Sequence, residues 1–207
     1  MTNTTSWNEA IEAIYDFSFD LALLISIGFI LIMVAVFLFV INGIALYKMS
    51  KKQNITNEEL CFVPFCSSII FGKVAENYYK TKGLKTLKLS IFLFVLKSLK
   101  VVTLGLLIFF TISSTTKIYD FAYQAVIDET AMTIEMFYSI IPTVICFCVC
   151  LAISIAHLAL YFVAFYRICN IFDENNATVF TIVSVILPFL APIFLLVISK
   201  NNPKAEE

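Results

Sequence analysis

Histidine is almost missing from this sequence, one residue in 207, and its six cysteines contain no CxxC pair. With no histidine at ligand spacing from another donor, a zinc or iron centre lacks its usual material. Charge is scarce as well. Asp, Glu, Lys and Arg make up 14% of the chain, against about 25% in soluble domains. Five glycines without a GxxxG pair give little scope for a channel or carrier built on close helix contacts. No lysine or arginine precedes Lys48, so the first residues do not read as a signal peptide, which needs a positively charged start. No carboxylate lies at helical spacing from His157, which is poor material for acid–base chemistry. Ser154, one turn before it, has no third group to orient a Ser–His pair. The chain reads as a non-enzyme, with no catalytic residue, no metal and no cofactor.

What is present is apolar surface. Hydrophobic residues make up 60% of the chain and mean hydropathy is +0.93, more than a water-soluble fold of this size can hide. The expected fold is all-α: a polytopic membrane protein with four transmembrane helices plus cytoplasmic interfacial or re-entrant helices. Charge sets its orientation. Residues 48–88 hold eight lysines against Glu58, Glu59 and Glu76, a net +5. Residues 1–20 carry only Glu9, Glu12, Asp16 and Asp20. Lysine-rich loops stay on the cytoplasmic side, so 48–88 is expected inside and the N-terminus outside. The same segregation argues against nucleic-acid binding.

The expected order begins with an outer amphipathic helix over 1–18, opened by a Ser6–Glu9 capping box and anchored by Trp7. The first span is 19–47. Residues 48–88 form a basic cytoplasmic segment. A second capping box there, Thr56 to Glu59, opens a thirteen-residue apolar run too short to cross. Ile70, Phe71, Val74, Ala75 and Tyr78 then fall on one helical face, and Gly83 suits a helix C-terminus. The second span is 89–114, an acidic outer loop is 115–135, and the third span is 136–166. A cytoplasmic turn at 167–176, with Asn176 or Asp173 as a helix cap, leads to a fourth span over 177–199 and a tail over 200–207. Pro188 and Pro192 either sit inside a crossing helix or turn it back; full crossing is the expectation. No internal repeat stands out, which argues against an inverted-repeat transporter.

The polar residues inside these spans are the candidate site. Lys97 and Lys100 lie three apart on one helical face, on the order of 10 and 15 Å along the second span. His157 lies at a similar depth in the third. Such charges cost about 2.5–3.5 kcal/mol at mid-bilayer and face a bundle interior, unless they snorkel to the headgroups. With Asn42 and Arg167, they form a candidate ligand-binding cluster for an anion or lipid phosphate. The alternative is an accessory or interaction subunit of a membrane complex, with a membrane-protein partner or a homo-oligomer. Either reading has anionic lipid headgroups as neighbours of the lysines.

Leu46-Tyr47-Lys48-Met49-Ser50-Lys51-Lys52, then Phe62-Val63-Pro64, then Phe71-Gly72-Lys73-Val74-Ala75-Glu76, resembles a pattern in uncharacterised small multi-pass membrane proteins of Gram-positive bacteria. The blocks Asn176-Ala177-Thr178, Ser184-Val185-Ile186 and Ala191-Pro192-Ile193-Phe194-Leu195 are similar to their last span. The Trp that the pattern places shortly before Pro64 is not present. The resemblance covers about a third of the chain. It implies a bacterial plasma-membrane protein and carries no activity to any residue.

Overall fold

The computed structural model describes residues 4–81, 88–128 and 134–203, with side chains described over 22–78, 88–119, 138 and 140–203. Those residues are all-helical, with no strand among them. α1 is Thr4–Lys52. A 3-10 turn at Glu58–Phe62 leads into α2, Ser67–Thr81. The two longest later helices are α3, Leu89–Asp128, and α4, Ile134–Phe172. α5 is Ala177–Ile186, followed by a 3-10 turn at Pro188–Leu190 and α6, Ala191–Ile198.

Three stretches, Ala22–Lys52, Leu89–Tyr119 and Ile140–Phe172, are long and apolar enough to cross a membrane. Their apolar side chains point outward: Leu24, Phe29 and Phe109 are 69%, 63% and 65% exposed. Such surface is stable against lipid and not against water. The buried core lies at one end, where Leu46 and Met49 of α1 meet Ile70 and Val74 of α2, Phe165 and Ile168 of α4, and Leu195 and Ile198 of α6.

Several expected boundaries move. The separate helix over 1–18 is instead the start of α1, which runs unbroken through the region because no Pro or Gly interrupts it before Gly28. The outer loop over 115–135 is mostly helix. Thr111, Thr115 and Thr116 donate their hydroxyls to Leu107 O, Thr111 O and Ser113 O at 2.8–2.9 Å. This back-bonding keeps a polar run helical. The Ser6–Glu9 box lies outside the residues whose side chains are described, and of the other expected caps only Asp173 acts, its Oδ1 accepting the Asn176 N–H at 3.3 Å. Asn57, with φ 65°, precedes the first 3-10 turn and makes no side-chain cap. Asn176 precedes α5, and its own side chain donates to Asp173 Oδ2 at 3.0 Å. Gly83 lies outside the described residues.

The fourth span is also corrected. α5 and α6 are ten and eight residues long, about 15 and 12 Å by helical rise, well short of a bilayer core. The chain breaks at Leu187 and Pro188, where Pro188 has no N–H to continue the ladder. It returns to where it began, for Asn201 Nδ2 donates to Phe172 O at 3.3 Å. The segment is a helical hairpin, open at the Phe172 end.

The earlier segment folds alike. The chain climbs α1 through the 3-10 turn, turns at Pro64, and descends as α2 until Asn77 Nδ2 donates to Gln53 Oε1 at 2.9 Å. α2 packs against α1, α3 and α4, and its expected apolar face, from Ile70 to Ala75, is buried against them.

These two hairpins are copies of one unit, contrary to the sequence expectation of no repeat. Ala45-Leu46-Tyr47-Lys48-Met49-Ser50 matches Ala164-Phe165-Tyr166-Arg167-Ile168-Cys169, 119 residues on. The first, second, fifth and sixth residues of both strings are fully buried. The same offset pairs Asn57 with Asn176, each preceding the first limb of its hairpin. That limb is five residues in one copy and ten in the other, so the offset becomes 124 afterwards. Val63-Pro64-Phe65 then aligns with Leu187-Pro188-Phe189, and buried Ser67, Phe71, Val74 and Ala75 with buried Ala191, Leu195, Ile198 and Ser199. Asn77 pairs with Asn201, and their closing hydrogen-bond partners, Gln53 and Phe172, pair too. The packing is reciprocal: α2 lies on α4, and α6 lies on α1. A comparison at one fixed offset misses the repeat because of the five extra residues.

Cys61, in the first limb, is fully buried with its Sγ 4.0 Å from Ser50 Oγ. Burial pushes its thiol up to about 11, while the Ser50 contact pulls weakly the other way. The folded value lies above the unperturbed 9.0. The stability tied to this proton is therefore complete below pH 9 and is lost as pH rises through 11. Since the thiolate is the nucleophile, Cys61 should stay unmodified by N-ethylmaleimide at about pH 8 in the folded protein and react after denaturation. Peptide mass spectrometry checks this, and labelling without denaturation contradicts it.

Candidate functional site

Four helices meet beside the turn of the first hairpin and leave a cavity of about 90 Å³. That is about three times the share of liquid volume that one water takes. α1 contributes Asn42, and α2 contributes Ser67, Ser68 and Phe71. Leu93 and Lys97 come from α3, and His157 and Tyr161 from α4.

The turn at Pro64 organises the polar wall. Its backbone has left the helix ladder, so its carbonyls need other donors. Ser67 Oγ donates to Pro64 O at 3.0 Å and Ser68 Oγ to Phe65 O at 2.6 Å. Lys97 Nζ also donates to Pro64 O, lies 3.4 Å from Ser67 Oγ, and stands 6.0 Å from the Phe65 ring centroid. On the other wall, the rings of Phe71 and Tyr161 stack at 4.9 Å with 7° between planes, which fixes α2 against α4.

Two polar groups of this cavity are open to a further partner. Among the described residues no carboxylate pairs with Lys97. Its ammonium has three donors, and two are turned toward Pro64 O and Ser67 Oγ, so one is left for an acceptor. Asn42 Oδ1 is buried with no hydrogen-bond partner. An amide can present either its oxygen or its NH₂ there. With the serine protons committed to Pro64 O and Phe65 O, the donors left for a small anion are the third Lys97 proton, an imidazole N–H of His157 and the Asn42 amide turned to present its NH₂.

Of the five residues expected to converge, the structure brings together Lys97, His157 and Asn42. Lys100, one turn further along α3, does not line the cavity, and Arg167 lies ten residues beyond His157 near the end of α4. Depth along a helix is read from residue number; which way it is turned is not. Ser154 is not among the lining residues either. Sequence reasoning missed Ser67, Ser68 and Tyr161. The signal for Tyr161 is its place in the repeat, 119 residues after Asn42, so the two halves contribute equivalent positions to one cavity. Comparison with protein families, curated proteins and solved structures returns no match.

Proposed function

We propose that this chain is an integral membrane protein that binds a small anion, an oxyanion or carboxylate, in the cavity between Lys97, His157 and Asn42. It handles that anion within the bilayer and does not transform it. One observation carries the reading: an ammonium set into a cavity among apolar helices, with no carboxylate partner among the described residues. A charge placed there is costly unless a counter-ion or a watery cavity receives it. Orientation follows from the lysines. The end where α1 finishes faces the cytoplasm, α1, α3 and α4 cross, and both hairpins re-enter from that side. Backbone off the helix ladder is tolerated at such depth when it lines a cavity, as the Pro64 carbonyl does.

The test is binding of nitrate, acetate or phosphate to the purified chain, read as a shift in melting temperature and by calorimetry. Lys97→Met keeps the stem and removes the charge. Losing one charge-assisted hydrogen bond should weaken binding about 10- to 100-fold, while Lys117→Gln leaves it unchanged. If the wild type shows no stabilisation by any of the three anions, and Lys97→Met merely lowers the melting temperature, then Lys97 is only a strut for the hairpin. The accessory-subunit reading then stands in its place.

A further inference from the structure

We infer that the open groove between the ends of α1 and α6 is a binding site for an anionic phospholipid, with its phosphate on Lys48, Lys51 and Lys200. The groove measures about 680 Å³ and is lined by Tyr47, Lys48, Lys51, Lys52, Ser199 and Lys200. The Lys52 ammonium is held by three carbonyls, Ser199 O, Lys200 O and Asn201 O, each at 2.8 Å. The other three lysines are exposed, and none pairs with a carboxylate among the described residues.

The internal repeat says what such a groove is for. Its counterpart in the other half lies between α4 and α2, and there α3 docks. Gly72 lets the α3 backbone come so close that a Cβ on it would stand 2.2 Å from Ser90 Cα. Glu76 Oε1 accepts both the Ser90 N–H, at 2.7 Å, and its hydroxyl, at 2.8 Å. A carboxylate thus receives the positive, N-terminal end of α3. On the α1–α6 side both determinants are reversed. Leu196 stands where Gly72 does, filling the space a helix backbone would need. Lys200 stands where Glu76 does, and it repels a helix N-terminus while attracting an anion.

The apolar wall continues from the groove along Leu196, Ile193 and the exposed Val40 and Ile44 of α1. A ligand with one anionic head and long apolar tails matches both parts, whereas a helix from a second copy meets Leu196 and Lys200. Basic recesses between membrane helices are recognised sites for anionic headgroups. This site shares no residue with the Lys97 cavity, so each can fail without the other.

The experiment titrates phosphatidylglycerol, with phosphatidylcholine as control, into the full chain in neutral detergent micelles, and follows melting temperature and bound lipid by native mass spectrometry. Phosphatidylglycerol should bind and stabilise. In Lys48→Gln/Lys51→Gln/Lys200→Gln the affinity should fall about 100-fold. The charge-matched Lys73→Gln/Lys88→Gln/Lys117→Gln should change it by less than about threefold. Equal losses in both variants mean diffuse attraction and overturn the site. Glycerol phosphate binding as tightly as the phospholipid makes the ligand a soluble anion and overturns the lipid assignment. So does a lysine-dependent dimer that forms without lipid. Should the triple variant not fold, a headgroup-photoreactive phosphatidylglycerol on the wild type decides. Labelling concentrated on residues 44–52 and 193–203 supports the site, and even labelling over all helices overturns it.

Discussion

Gly72→Leu is expected to force α3 off α2 and to be more damaging than a substitution at Gly28, Gly43 or Gly105. The substitution only gives α2 the residue that its repeat partner α6 carries at Leu196, so chemistry alone would rate it mild. Geometry decides otherwise. Even a Cβ would lie 2.2 Å from Ser90 Cα and 2.6 Å from Ser90 N, and backbone atoms cannot rotate away as a side-chain tip can. Replacing a helical glycine ordinarily gains about 0.5–1 kcal/mol. Here overpacking costs about 1–3 kcal/mol or more, and the two hydrogen bonds from Ser90 to Glu76 are lost with the contact. A net loss above about 2 kcal/mol follows. Gly72→Ala should show most of it, because the clash begins at Cβ. Melting of both variants in micelles checks this, and an unchanged midpoint for Gly72→Ala contradicts it. Gly43 is a useful contrast. A Cβ there meets the Phe62 ring at 3.0 Å, a side chain that can give, so Gly43→Ala should cost clearly less.

The second large effect is expected at Lys52. α6 ends on Ile198, and the three residues after it, Ser199 to Asn201, present carbonyls that no further turn of helix takes up. The Lys52 ammonium answers three acceptors there at once, using all of its donors. Lysines suit helix C-termini for this reason. Lys52→Met keeps the apolar stem and removes every donor. Because the three bonds form one unit and are part-exposed, the loss is that of about one strong bond, roughly 1.5–3 kcal/mol. It should be local: protease cleavage after residue 198 should accelerate while the long helices melt as before. Lys52→Arg, with five donors in a planar fork, should restore part of the protection. If Lys52→Met and the wild type are cut at the same rate, Lys52 does not hold the second hairpin.

The three long helices were legible in the sequence because each holds more than about 20 residues with little charge, and that run length has one common explanation. The fourth span was misread for the same reason. Residues 177–199 have the composition of a span, and composition does not distinguish one crossing from two short limbs meeting at a break. Only Pro188 and Pro192, four residues apart, hinted at the break. Residues 58–81 were harder. Their lysines and glutamates belong at a surface, yet Ile70, Phe71, Val74 and Ala75 form a complete apolar face. The charges alone gave no sign that this face turns inward. Of the site, Lys97, Lys100 and His157 share a depth that residue number gives, and Asn42 stands out as a polar group in an apolar span. Residue number does not give helix rotation, so Lys100 is not separable from Lys97, and Arg167, which closes the third span, is not separable from the cluster. Ser67 and Ser68 entered the cavity only through the fold of the first hairpin.

The repeated unit runs along one long helix and then returns, by way of its hairpin, to the end it had just reached. A second unit in the same sense cannot simply follow, because it must begin at the opposite end. Two such units in tandem need a connecting strut, and α3 is that strut, with no counterpart in either half. Lys97 sits on it, so the cation of the cavity comes from the connector and from neither unit.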